Sequence, residues 1–153
     1  RTLKTLFWAL VITGISTVVQ PDMAIHFGIL HFLATSMVLS TFCVKMKTKT
    51  ILGSALLIFL ITPIAKEILP ASNWLLPLGK TAISYSSWDY YPILPWFSIV
   101  LVGITLGKII PWHKTTIPKI SFLEGIGRHS LAIYLLHQPT IIGTLSLLQK
   151  FPN

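Results

Sequence analysis

The chain has 153 residues, 53% of them hydrophobic and 10% charged, with a formal net charge of +8. A soluble domain carries about 25% charged residues, so this composition, with a mean hydropathy of +0.75, excludes an ordinary water-soluble globule and makes lipid the expected solvent. The basic residues lie between apolar runs rather than in a stripe with interleaved aromatics, which argues against nucleic acid as a partner.

The first apolar run, Leu3 to Val19, is followed by Gln20-Pro21-Asp22 and another apolar stretch, with no small-residue cleavage site. It therefore reads as a retained helix rather than a signal peptide. Arg1 opens the sequence in place of a methionine, and further residues are expected upstream. Residues 5–21, 23–44, 50–65, 90–107 and 129–149 contain no Asp, Glu, Lys or Arg. A spanning helix needs about 20 apolar residues. The third run reaches that length by continuing to Leu69, with Lys66 snorkelling to the interface. The predicted fold is an all-α, multi-pass membrane helical bundle forming one domain, 1–153, with spans near 3–20, 24–44, 50–69, 91–110 and 129–149.

Lysine and arginine counts set the orientation. Arg1, Lys4, Lys45, Lys47, Lys49, Lys108, Lys114, Lys119 and Arg128 fall on one side, against Lys66, Lys80 and Lys150 on the other. The first side is expected to be cytoplasmic, placing the amino end inside and the carboxyl end outside.

The second span opens with His26 and His31. Five residues apart, they sit about 140° from each other on a helix, which suits them poorly to one metal. No metal is expected, and the single cysteine, Cys43, provides no disulfide. Between the third and fourth spans, Lys66 to Tyr91 forms a non-cytoplasmic loop rich in Trp, Tyr and Ser, whose Trp74–Leu78 stretch is apolar enough to lie in the interface. Asp89 stands just before the fourth span, placed to cap that helix or to orient a histidine. Gly103 and Gly107 make a GxxxG packing face in the fourth span. The cytoplasmic loop from Lys108 to His129 is basic enough to attract the phosphates of a nucleotide-like donor. In the fifth span, His137 sits about 10 Å along a helix starting near Ser130, beside a kink expected at Pro139. An ionisable group at that depth marks a functional cavity, or else serves as a neutral hydrogen-bonding contact between helices.

Three blocks in order resemble a known family. Ile25-His26-Phe27-Gly28-Ile29-Leu30-His31-Phe32 is similar to the F-G-I-L-H helix opening of the heparan-alpha-glucosaminide N-acetyltransferase catalytic-domain family. Asp89-Tyr90-Tyr91-Pro92-Ile93-Leu94-Pro95-Trp96-Phe97, with Gly103 and Gly107-Lys108, resembles its D-Y-x-P-L-x-P-W-F block and the glycines that follow. Gly127-Arg128-His129-Ser130-Leu131 and Tyr134-Leu135-Leu136-His137-Gln138-Pro139 resemble its closing helix. The family's opening D-x-x-R-G helix and histidine-bearing loop have no counterpart here, so residues 1–153 are expected to correspond to the later part of such a domain.

The resemblance implies transfer of an acetyl group from cytoplasmic acetyl-CoA to a saccharide-type acceptor beyond the membrane, in the bacterial inner membrane. His137, His31 and Asp89 are the catalytic candidates. Lys108, Lys114, Lys119 and Arg128 are the candidates for binding acetyl-CoA. Homo-oligomer formation stays open. Two other readings also stay open: a proton-coupled transporter, for which intramembrane histidine would serve, and a non-catalytic membrane scaffold.

Overall fold

The computed structural model describes residues 1–68, 72–82, 84–111 and 121–150, the side chains at 138, 139, 142, 143, 145, 146 and 148–150 excepted. The described residues are helical, with no strand among them. The chain divides into two compact units, Arg1–Trp112 and His113–Asn153.

In the first unit, α1 (Thr2–Val19), α2 (Ile29–Cys43), α3 (Thr48–Ile68) and α4 (Ile93–Ile109) run alternately up and down. A 3₁₀ turn, Pro21–Met23, follows α1, and a 3₁₀ helix, Asn73–Leu78, lies between α3 and α4. Pro63 inside α3 removes one helical hydrogen bond, and the buried Thr62 beside it donates its hydroxyl to the Ile58 carbonyl. α4 contains a cis Leu94–Pro95 peptide. The second unit contains α5 (Ser121–Lys150).

Alongside a buried apolar core, several hydroxylated side chains are buried and many large apolar ones are exposed. Thr5, Ser16, Ser36, Thr62, Ser98 and Thr105 are buried, while Leu3, Phe7, Leu10, Val18, Leu56, Leu57 and Phe59 are exposed on α1 and α3. Small and hydroxylated residues let helix backbones approach, and large apolar ones face the solvent, as lipid demands. The core is narrow: Phe32, Ile51, Ala55, Phe97 and Leu101, where α2, α3 and α4 meet. α1 and α3 are long and apolar enough to cross a membrane; α2 and α4 are shorter apolar helices.

Two expectations about boundaries change. The second helix begins at Ile29 rather than near residue 24, because residues 20–28 form a loop with its own hydrogen bonds. The last helix begins at Ser121, ahead of the expected 129.

Two glycines are needed for their backbones. Gly79, with φ +93°, ends the 3₁₀ helix in the left-handed region, and a Cβ there would meet the Leu94 carbonyl oxygen at 2.9 Å. Gly28, immediately before α2, faces Asp89, and a Cβ would lie 2.4 Å from Asp89 Oδ2 and 2.7 Å from Ile25 Cγ2. Gly28→Ala is expected to lower stability by about 1–3 kcal/mol through overpacking. Gly14→Ala, where a Cβ meets nothing within 4 Å, should be neutral or gain up to about 1 kcal/mol of helix propensity. Thermal unfolding of the two variants in detergent checks the contrast.

Candidate functional site

The polar groups concentrate where the α1–α2 loop meets the segment leading into α4. Three residues of α1 prepare this end. Ser16 Oγ accepts from the Ile25 amide at 3.0 Å and donates to the Thr13 carbonyl at 3.1 Å. Thr13 Oγ1 donates to the Ile25 carbonyl at 2.6 Å. Both backbone groups of buried Ile25 are thus satisfied by hydroxyls from the preceding helix. Thr17 donates its own hydroxyl back to the Thr13 carbonyl at 2.7 Å.

The segment before α4 then lies along the loop. The Trp88 amide donates to the Met23 carbonyl at 3.2 Å, Ser87 Oγ to the Ala24 carbonyl at 3.0 Å, and the Tyr91 amide to the Phe27 carbonyl at 3.1 Å. This pairing delivers Asp89 to the start of α2, where Oδ2 accepts from the Ile29 amide at 2.9 Å. A carboxylate there satisfies an amide with no intrahelical partner and complements the positive end of the helix dipole. Of the two roles expected of Asp89, the cap falls on the second helix rather than the fourth, because the 85–91 segment folds back over residues 23–28 before α4 begins, and the carboxylate also acts electrostatically on His31.

His31 occupies the first turn of α2, and Asp89 and His26 are both within electrostatic reach of it. Its Nε2 lies 3.3 Å from Thr13 Oγ1, and its ring packs 5.8 Å from Phe27. The single proton of the Thr13 hydroxyl is committed to Ile25, so that hydroxyl can only accept from the imidazole. His31 therefore carries a proton on Nε2, and in the neutral ring the basic lone pair is on Nδ1.

His26 lies in the loop and not on α2, so the angular relation expected of two histidines on one helix does not arise. Its Nδ1 is 3.2 Å from the Ala24 carbonyl. A carbonyl only accepts, which puts the proton on Nδ1 and the lone pair of the neutral ring on Nε2. Beside it, an open cavity of about 330 Å³ is lined by His26, Phe27, Asn73, Trp74, Leu76 and Pro77. The 3₁₀ helix forming its far wall is held at three points. Ser72 Oγ accepts from the Trp74 amide at 3.4 Å, Asn73 Oδ1 accepts from the Ala82 amide at 3.4 Å, and the Tyr90 hydroxyl donates to the Leu76 carbonyl at 2.7 Å. Burial, reinforced by neighbouring Tyr85, pushes the Tyr90 phenol up to about 12, so it remains a donor at any physiological pH. Tyr85 packs edge-on against Tyr90, and its own hydroxyl is closed from solvent without a partner among the described residues.

The other predicted residues are placed as follows. Lys108, in the last turn of α4, donates to the Met46 carbonyl at 2.5 Å and so ties α4 to the α2–α3 turn. Lys114 and Lys119 lie outside the described residues. In the second unit, Arg128 pairs with Glu124 at 2.5 Å one helical turn away, both side chains being exposed. His137 Nδ1 lies 2.5 Å from the Tyr134 carbonyl, with the two rings 5.3 Å apart, which leaves Nε2 as its lone-pair nitrogen. With α5 beginning at Ser121, His137 sits about 24 Å along that helix rather than about 10 Å. Thr13 and Ser16 went unrecognised in the sequence. Their signal was a Thr-x-x-Ser pair on one face of an apolar helix, a pattern that back-bonding to the helix itself also produces. Among the described residues no three of His, Cys, Asp and Glu converge as a metal-ligand set.

Residues 1–139 match the family model described as "Heparan-alpha-glucosaminide N-acetyltransferase, catalytic". No curated protein and no solved structure matches the chain significantly.

Thr13→Val is expected to release the His31 tautomer. The ¹⁵N resonances of the ring should show a protonated Nε2 in the wild type and a mixture in the variant, whereas Thr13→Ser should preserve the wild-type pattern. An ultraviolet titration should find one phenol that ionises only near 12 against the usual 10.0, and Tyr90→Phe should abolish that late step. Because the folded state holds this proton more tightly than the unfolded chain, the group leaves stability unchanged below pH 10 and destabilises the fold as pH rises from 10 toward 12.

Proposed function

The chain belongs to the heparan-alpha-glucosaminide N-acetyltransferase catalytic family, a family of membrane-embedded acetyltransferases, and from that premise we propose that it moves an acetyl group from cytoplasmic acetyl-CoA to a saccharide-type acceptor on the opposite side of the bilayer. In this reading the helices form a five-span bundle with the amino end cytoplasmic. The thioester carbon–sulfur bond breaks at the donor end, and a carbon–nitrogen or carbon–oxygen bond to the acceptor replaces it. An imidazole takes the acceptor's proton, or carries the acetyl group transiently, and the proton ends on the departing CoA thiol.

The observation that carries the reading is the chemical asymmetry of the first unit. The loop end joining α1 to α2 and α3 to α4 brings together Thr13, His31 and Asp89. The opposite end carries Arg1, Lys4, Lys45, Lys47, Lys49 and Lys108. A phosphate-bearing donor matches the basic end, and a neutral hydroxylated or amino acceptor matches the end that offers an oriented imidazole. Lys108 fits a phosphate only by exchanging its bond to the Met46 carbonyl, and Arg128 only by sharing its charge with Glu124. The exposed Lys45, Lys47 and Lys49 carry the remaining charge of the α2–α3 turn.

His137 is assigned the role of base or transient acyl carrier, and His31 and Asp89 are assigned to the acceptor end of the first unit. The full-length protein, reconstituted in vesicles with acetyl-CoA on the cytoplasmic face, tests this. His137→Ala should lower transfer by about 100-fold or more while acetyl-CoA still binds. Wild-type transfer by that variant would remove His137 from the mechanism.

A further inference from the structure

The 3₁₀ helix Asn73–Leu78 exposes an aromatic ring that its own fold does not use. Trp74 is 93% exposed while Leu76, two residues on, is 7% exposed. The helix is thus anchored through Leu76 and the Tyr90–Leu76 hydrogen bond, and the indole is left at the cavity wall.

The polar groups of that wall have fixed hydrogen-bonding directions. Asn73 Oδ1 is held by the Ala82 amide, so its NH₂ is the part of the amide left to donate outward. His26 uses its Nδ1 proton on the Ala24 carbonyl, so in the neutral ring Nε2 is an acceptor. One donor, one acceptor and an aromatic surface therefore border a cavity that, among the described residues, is lined by no carboxylate, lysine or arginine. An anionic or strongly cationic ligand would find no counter-charge there, and an acyl chain would leave the amide and the imidazole without partners, at a desolvation cost. The matching chemistry is a neutral ring whose edge carries hydroxyls, each both donor and acceptor, and whose face is lined by C–H groups. The volume of about 330 Å³ lies at the low end of the usual range of about 300–1,000 Å³ for ligand pockets, which suits one ring rather than a long chain.

We propose that the cavity between His26 and the Asn73–Leu78 helix is a subsite for one pyranose ring of the acceptor, with Trp74 stacking on the ring, Asn73 donating to one hydroxyl and His26 accepting from another. This assignment rests on the reading of this end as the acceptor side. It adds the residues that hold the sugar, and it leaves the acetyl-transfer step to other groups.

The test is calorimetric titration of the full-length protein in nanodiscs with methyl glucoside, a neutral pyranose, in the absence of acetyl-CoA. Saturable binding is expected. Trp74→Ala should weaken it about tenfold and Trp74→Phe should keep most of it. Asn73→Asp retains the oxygen that accepts from Ala82 but removes the outward donor, so it should weaken binding without changing the melting temperature. Binding at wild-type affinity in both Trp74→Ala and Asn73→Asp, no binding to the wild type, or equal binding of cyclohexanol would overturn the subsite. The two readings fail separately. Wild-type sugar binding that responds to these variants, in a protein that transfers no acetyl group, would leave the subsite standing and remove the proposed reaction.

Discussion

The hydrogen bond from the Ile29 amide to Asp89 Oδ2 is the contact on which the rest of the first unit depends. A helix that starts near membrane depth has amides without intrahelical partners, and lipid provides none. Asp89 meets that need from a segment distant in sequence. It acts together with the bonds from Trp88 to Met23, Ser87 to Ala24 and Tyr91 to Phe27, which lay residues 85–91 along residues 23–28. Inside a bilayer the hydrophobic effect does not draw helices together, because lipid tails are as apolar as leucine. Directional contacts of this kind, with the close approach allowed by Thr5, Ser16, Ser36 and Thr105, are what specify the arrangement.

That the described residues form apolar helices, interrupted near the charged residues, was legible in the sequence because charges break the apolar runs. The candidates His31 and Asp89 were legible as residue types out of place near a span. Their roles were not. Asp89 is four residues before α4 in sequence, which suggested a cap there or a histidine partner; the fold-back of the Ser87–Tyr91 segment instead brings it to the Ile29 amide at the start of α2. The start of α2 was placed too early because Ala24 to Phe27 is as apolar as a helix interior. Nothing local reports that the hydroxyls of Thr13 and Ser16 satisfy the backbone of Ile25. The donor and acceptor polarity of the cavity was invisible for the same reason: it depends on which backbone carbonyl each ring or amide has already engaged.

The family match and the geometry support different parts of the account. Membership gives the class of reaction and its setting in a membrane. The geometry supplies directionality. It assigns a proton to one nitrogen of each of three imidazoles, through Thr13 for His31, Ala24 for His26 and Tyr134 for His137. Histidine can act as donor, base or acyl carrier, and the nitrogen already held by a backbone carbonyl or the Thr13 hydroxyl decides which one is left for the substrate. His31 and His26 present opposite nitrogens, Nδ1 and Nε2, although they stand only five positions apart.

The bare Cα of Gly28 also constrains how this chain can diverge. Any side chain at that position needs the space now filled by the Asp89 carboxylate and the Ile25 methyl. Shortening residue 89 alone leaves the amide of Ile29 bare, and enlarging residue 28 alone forces the two segments apart. Positions 25, 28 and 89 are therefore constrained together, and a side chain at position 28 requires compensating change at both of the other two.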